Sequence, residues 1–186
     1  RILLGTAGWL RDDWQLGYYP PDLPADWRLA YYANDADCVL LAAAQWQSPS
    51  PDFIEALDEM PGELTLFLHA PDDAAALPDA VPPSLSALPA ILLVEQPLPG
   101  AVGWPQWVAQ GDDRWVDRAS GECLVRWWLE SADLRQLRAR AEALPAETAA
   151  LVLDGPSASP ALLADLRTLL ELRHSRTPVE RPPRIR

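Results

Sequence analysis

The sequence predicts an α/β fold with a mostly parallel sheet, on three observations. Six apolar runs of strand length recur along the 186 residues, and most are continuous rather than alternating, the pattern of strands covered on both faces. Segments with helical spacing of apolar residues lie between several of these runs. Three of those segments begin with a hydroxyl residue able to cap free amides, and in two a proline follows that fits the first helical position.

Taken in order, Ile2 to Thr6 is the first strand and Pro24 to Ala33 a helix. Cys38 to Ala43 is the second strand, after which Ser50-Pro51 opens a helix carrying Phe53, Ile54 and Leu57. Leu64 to His69 and Ile91 to Glu95 are the third and fourth strands, and Cys123 to Trp128 is the next. Ser131 starts a helix over Leu134, Leu137, Ala141 and Leu144. Ala149 to Asp154 is the last strand, and Ser159-Pro160 opens a helix over Leu162, Leu163, Leu166, Leu169 and Leu170. No internal repeat or hinge-like linker divides residues 1–174, which are expected to form one domain. Residues 175–186 are rich in arginine and proline and are expected to be a disordered tail.

Composition narrows the function. With 49% hydrophobic residues the chain can bury one substantial core. Its longest apolar run, Cys38 to Ala44, is far short of the roughly 20 residues of a membrane span. No basic stretch leads into an apolar one at the start, so a cytoplasmic location is the expectation. Cys38 and Cys123 fall in separate strand-like runs without a CxxC spacing, so both are expected to be buried and reduced. The 27 acidic residues outnumber 15 basic ones, all arginine, for a formal charge of −12. Such a charge repels phosphate backbones and anionic lipid, so neither nucleic acid nor a membrane is an expected partner.

Alternation of strands and helices allows an open doubly wound sheet or a closed barrel. The opening Gly5-Thr6-Ala7-Gly8-Trp9, followed by Trp14, Tyr18-Tyr19-Pro20 and Trp27, resembles the YecE-like family, also described as domain-of-unknown-function family 72. Later segments are similar in order: Phe67-Leu68-His69-Ala70-Pro71, Val94-Glu95-Gln96-Pro97, Val125-Arg126-Trp127-Trp128 and Leu153-Asp154-Gly155. The resemblance implies a TIM-barrel-like (β/α) architecture. Between Gln96 and Glu122 only 25 residues remain, where two strand-helix units would need about 50 or more. The expectation is therefore an incomplete or shortened barrel of six or seven mostly parallel strands, with a missing wall near residues 97–121. Two strand edges would then be exposed. Trp104, Trp107 and Trp115 lie in that stretch; sealing the protein's own core is the leading role for them, with a homodimer surface and ligand stacking as alternatives.

Departures from the family pattern bear on activity. Where its second strand ends in Glu-Ile-Asn, this chain has Leu40-Leu41-Ala42-Ala43-Ala44. His69 stands for the family's lysine, Glu95 for its glutamine, Trp128 for its histidine, and Asp154-Gly155 for its paired asparagines, while Arg126 is retained. Active sites of such barrels gather at the carboxyl ends of the strands. The candidate pocket is therefore Thr6, Trp9, His69, Glu95, Arg126, Trp128 and Asp154. A general acid/base pair of Glu95 with His69 or Asp154, and Arg126 orienting an anion, is the functional reading. Strand-end residues and an arginine satisfying its own interior carboxylate is the competing one.

Other chemistries fail. The chain has no GxGxxG, no GK[ST], no lysine and no GxSxG. One histidine near the strand ends cannot supply a His-His-carboxylate metal site, and His174 reads as a favourable charge at a helix end. No metal and no cofactor are implied. The sequence favours a non-catalytic or degenerate barrel that binds a small polar or anionic ligand or a protein partner, a second copy included. The alternative is an enzyme of sugar-isomerase-like or hydrolase-like type acting on a small polar molecule.

Overall fold

In the computed structural model, which describes residues 1–15, 17–60, 63–73, 77, 85 and 88–175, the strands close into a barrel whose order around the ring is their order in the sequence. The eight strands are β1 (Leu3–Ala7), β2 (Cys38–Leu41), β3 (Thr65–His69), β4 (Ala90–Val94), β5 (Gln106–Ala109), β6 (Arg114–Val116), β7 (Cys123–Trp128) and β8 (Thr148–Asp154). All neighbours pair in parallel except at β6, which is antiparallel to both β5 and β7. The expected gap is thus filled. Residues 97–121 hold two strands, the ring has eight rather than six or seven, and neither expected edge is left open. The reversal follows from chain length. A parallel return needs a crossover of about a dozen or more residues, and residues 110–113 and 117–122 are all that join β5 to β6 and β6 to β7. Gly111 and Gly121, at φ 87° and 79°, make the two tight reversals.

Strand parity divides the core in two. Cys38, Leu40, Phe67, Leu93, Trp107, Trp115, Leu124, Ala150 and Val152 fill the barrel interior. The alternate residues, such as Val39, Leu41, Leu66, Leu68, Leu92, Val94, Leu151 and Leu153, face outward and pack with Leu29, Leu57, Leu137, Leu163 and Leu166 of the helices. Both faces of most strands are therefore apolar, which is why the runs read as continuous. Trp104, Trp107 and Trp115 are all buried and seal the protein's own core. Cys38 and Cys123 are free and buried, and burial together with Asp37 raises the Cys38 thiol pKa far above its ordinary value.

The helices are α1 (Arg28–Tyr32), α2 (Ala43–Gln47), α3 (Pro51–Asp58), α4 (Leu134–Glu142) and α5 (Leu162–Ser175). Ser50 caps α3 by accepting from the Phe53 amide at 3.2 Å. Two expectations shift. The cap of α4 is Asp133, whose carboxylate accepts from Arg135 N at 2.9 Å, and not Ser131. Ala43 belongs to α2 rather than to the second strand, because the chain turns at Ala42, whose amide donates to Gln45 Oε1 at 2.8 Å. The expected tail lies outside the described residues, except for Ser175 at the end of α5.

The β1–β2 seam is the tightest join. Gly5 pairs with Cys38, and a Cβ on Gly5 would run into the Cys38 carbonyl, with the carbonyl carbon at 2.7 Å and Sγ at 2.8 Å. Fully buried Tyr32 of α1 bridges the same seam: its hydroxyl accepts from Thr6 N at 2.8 Å and donates to Cys38 O at 2.8 Å. Beside it, the Asp37 carboxylate accepts from Leu4 N at 3.1 Å and from Arg167 Nη1 at 3.0 Å, tying α5 to the seam. Across the ring, the helix-free connection from β4 to β5 is held by Gln106. Its Oε1 accepts from Leu98 N at 2.9 Å, and its Nε2 donates to Leu98 O at 3.0 Å and to Ala101 O at 3.2 Å. Trp104 of that connection packs on Trp46 of α2 at 5.5 Å between ring centres.

Two stability changes are expected from the seam. Gly5→Ala forces β1 and β2 apart and lowers stability by about 3 kcal/mol, as overpacking against backbone does; a urea midpoint within error of the parent would show that the strands yield freely. Tyr32→Phe leaves the Thr6 amide and the Cys38 carbonyl without their bridge and lowers stability by about 1 to 3 kcal/mol, read in the same titration.

Candidate functional site

The interior faces of β3, β7 and β8 continue to the carboxyl ends of those strands. Parity that turns Phe67, Leu124 and Val152 inward also turns His69, Arg126 and Asp154 inward at the mouth. The reversed strand β6 adds Trp115, and the turn before it adds Asp112 and Asp113. Arg126 is the centre of this cluster. Its Nε donates to Asp113 Oδ1 at 2.9 Å, its Nη2 donates to the Asp112 carbonyl at 3.1 Å, and its Nη1 lies 3.7 Å from Asp154 Oδ2. The guanidinium carbon sits 5.6 Å from the Trp115 ring centre, and the His69 ring meets the same Trp115 indole edge-on, with ring centres 5.2 Å apart. The Arg126 backbone amide also donates to Asp113 O at 2.8 Å.

The arginine's side chain is 26% exposed, Asp113 52% and Asp154 23%. These pairs are therefore half-wet clasps rather than buried ion pairs, and each contributes modestly. Asp154 is further fixed by accepting from Gly155 N at 2.7 Å. Gly155 is required there: it has φ 93°, and a Cβ would stand 2.8 Å from Leu129 N and 2.9 Å from Leu129 O. Burial lowers the His69 pKa, the Arg126 charge lowers it further, and Asp154 opposes both. A neutral imidazole therefore lies beside one guanidinium and two carboxylates, so the cluster bears more negative than positive charge.

The other candidates fall elsewhere. Thr6 is on the outer side of β1, its hydroxyl 2.8 Å from Gly8 O and 3.0 Å from the Tyr32 hydroxyl. Trp9 is buried against Phe53 of α3, with ring centres 5.1 Å apart. Glu95 is exposed, one residue beyond β4. Trp128 is half exposed at the rim and donates from Nε1 to Glu130 Oε1 at 2.7 Å. His69, Arg126 and Asp154 are thus brought together, and Thr6, Trp9 and Glu95 are not. Sequence reading missed Trp115 and Asp113 as members. Their signal was present: Gln106-Trp107-Val108-Ala109 and Arg114-Trp115-Val116 flank Gln110-Gly111-Asp112-Asp113, the composition of a hairpin. Among the described residues, no three His, Cys, Asp or Glu side chains gather into a group that could hold a metal ion.

The lowered His69 pKa has a consequence for stability. The unfolded chain binds a proton near pH 6.5, whereas the folded chain binds it only at lower pH. Protonation therefore favours the unfolded state, and stability is expected to fall as pH drops below about 6.5. In urea titrations between pH 7 and pH 5, His69→Asn should remove part of that decline. An unchanged pH profile in the variant would show that His69 titrates alike in both states.

Among the described residues no helix is long and apolar enough to cross a membrane. No curated protein and no solved structure matches the chain. Residues 3–81, which run from β1 past the end of β3, match the model of the family described as Protein of unknown function DUF72. That segment holds the Gly5 seam, the Tyr32 bridge and His69, and over it, somewhat less than half of its length, the chain is similar to the DUF72 family.

Proposed function

We propose that this chain is a non-catalytic, degenerate barrel, a TIM-like (β/α) barrel in which two strand-helix units have contracted to the β5–β6 hairpin. Parallel pairing everywhere else, strands in sequence order and helices outside the ring support the kinship. The observation that carries the functional reading is the state of Arg126. Two edges of its fork are spent on Asp112 and Asp113, and the third faces Asp154. An arginine serving an anionic substrate keeps its paired donors for that substrate. Here they clasp the short hairpin to β7 and β8, so the mouth cluster completes the wall, and the protein works by binding rather than by turnover.

One observation favours the second reading, an enzyme acting on a small polar molecule at this face. His69 is neutral and stands close enough to Arg126 and Asp154 for their charges to shift its pKa, a state suited to a general base. Thermal-shift measurements with phosphates, carboxylates, sugars and nucleosides separate the two. On the proposed reading, Arg126→Ala lowers stability by about 1 to 2 kcal/mol through loss of charge-assisted hydrogen bonds, and no compound stabilises the parent in an Arg126-dependent way. A stabilisation that disappears in Arg126→Ala would overturn the reading and make the cluster a working pocket.

A further inference from the structure

We propose that the outer face of the β5–β6 hairpin is the contact through which two copies of this chain pair about a two-fold axis. No helix lies between β4 and β7, so this stretch of the barrel's outer side has no helix of its own. A groove of about 510 Å³ opens there. Leu98 and Val102 of the β4–β5 connection line one side, Asp117, Arg118 and Ala119 of the turn after β6 line the other, and Val108 of β5 lies between. None of these residues belongs to the Arg126 cluster, so the inference stands whether or not the mouth is catalytic.

The lining favours a protein surface over a small polar molecule. Its one amide, Gln106, is already taken up by Leu98 and Ala101. Asp117 accepts from Ala119 N at 3.0 Å and from Ser120 Oγ at 2.8 Å. With those groups matched inside the chain, what the groove offers an incoming surface is apolar area. Val102 enlarges it: at 89% it is the most exposed large apolar side chain among the described residues, and it stands on the groove's own edge.

Three features select a second copy as the occupant. A projecting valine beside an apolar groove is a knob beside a hole, and a two-fold axis places each knob in the other copy's hole, because both copies then use the same patch. Asp117 and Arg118 are neighbours on the groove wall, and Arg118 makes no ion pair among the described residues. The same rotation that exchanges the valines sets Arg118 of one copy towards Asp117 of the other, so the patch is complementary to itself in charge as well. Finally, a chain of charge −12 repels its own kind over most approaches, whereas this groove carries one charge of each sign and no net charge.

Sedimentation equilibrium of the full chain tests the proposal by reading mass against concentration. A mass of twice the 20.5 kDa chain is expected at micromolar concentration. Val102→Glu, at a side chain too exposed to serve the monomer's own core, is expected to weaken pairing at least tenfold with an unchanged circular dichroism spectrum. Arg118→Glu sets like charges against each other and is expected to weaken it too, more at low salt than at high. Leu172→Glu, an equally drastic change at an exposed leucine of α5, should leave pairing intact, which separates this face from general adhesiveness. Mixed Val102→Cys and Ala119→Cys chains should give a cross-linked heterodimer with a short bismaleimide, since Cys38 and Cys123 are buried. A chain still monomeric at high micromolar concentration would overturn the proposal. A dimer that Val102→Glu leaves unweakened, or that yields no such heterodimer, would overturn it too and place the contact on another face.

Discussion

Everything in this molecule depends on a ring of strands that must meet itself. A sheet that stops short leaves a row of unpaired amides and carbonyls, and this chain has only residues 97–121 in which to supply the last part of the wall. Reversing one strand solves the geometry, because a turn of a few residues suffices where a parallel return would need a helix. The reversed β6 then lacks the βα loops that elsewhere stand at the mouth. In their place it brings the turn Gln110–Asp113 and the indole of Trp115.

The mouth cluster follows from that substitution. Arg126 sits where the parity of β7 directs it inward, and the nearest acceptors are those the hairpin provides. Two carboxylates and a carbonyl converge on one guanidinium, and the imidazole nearby is kept neutral by burial and by that same guanidinium. Residues of the types that perform acid-base chemistry thus stand against the turn of a short wall, and Arg126 is joined to that turn by two hydrogen bonds. The opposite side of the ring uses neutral groups for the same purpose: the Tyr32 hydroxyl between Thr6 and Cys38, and the glycine that lets β1 approach β2.

Strands apolar on both faces were legible in the sequence. Cys38 to Leu41 is buried at every position, and Ala150 to Leu153 likewise, so their runs are continuous and their limits shift by only a residue or two. β5 and β6 were not legible in the same way, because four and three residues are too few to show a period. The mouth followed the same division. His69, Arg126 and Asp154 are at strand ends and share parity with interior residues, so position alone located them. Thr6 has the opposite parity, since Gly5 is the residue that meets Cys38, and the turn at Gly8 carries Trp9 to the outer layer. Glu95 has the right parity but lies past the last paired residue of β4, where the chain has left the ring. Asp113 reaches Arg126 from the turn between β5 and β6, so the turn composition around Gly111 marks the hairpin but not the partner that its carboxylate meets.

The two ways of joining strands also give assembly a direction in time. β5, β6 and β7 are joined by short turns and can pair as soon as they exist. The seam between β1 and β8 matches Leu3 with Ala150, so it bears the entropy of closing nearly the whole chain. During synthesis β1 emerges first yet waits for the last strand, with one edge unpaired throughout. Its short run of five residues, interrupted by Gly5, offers little length for a stray strand to grip while it waits.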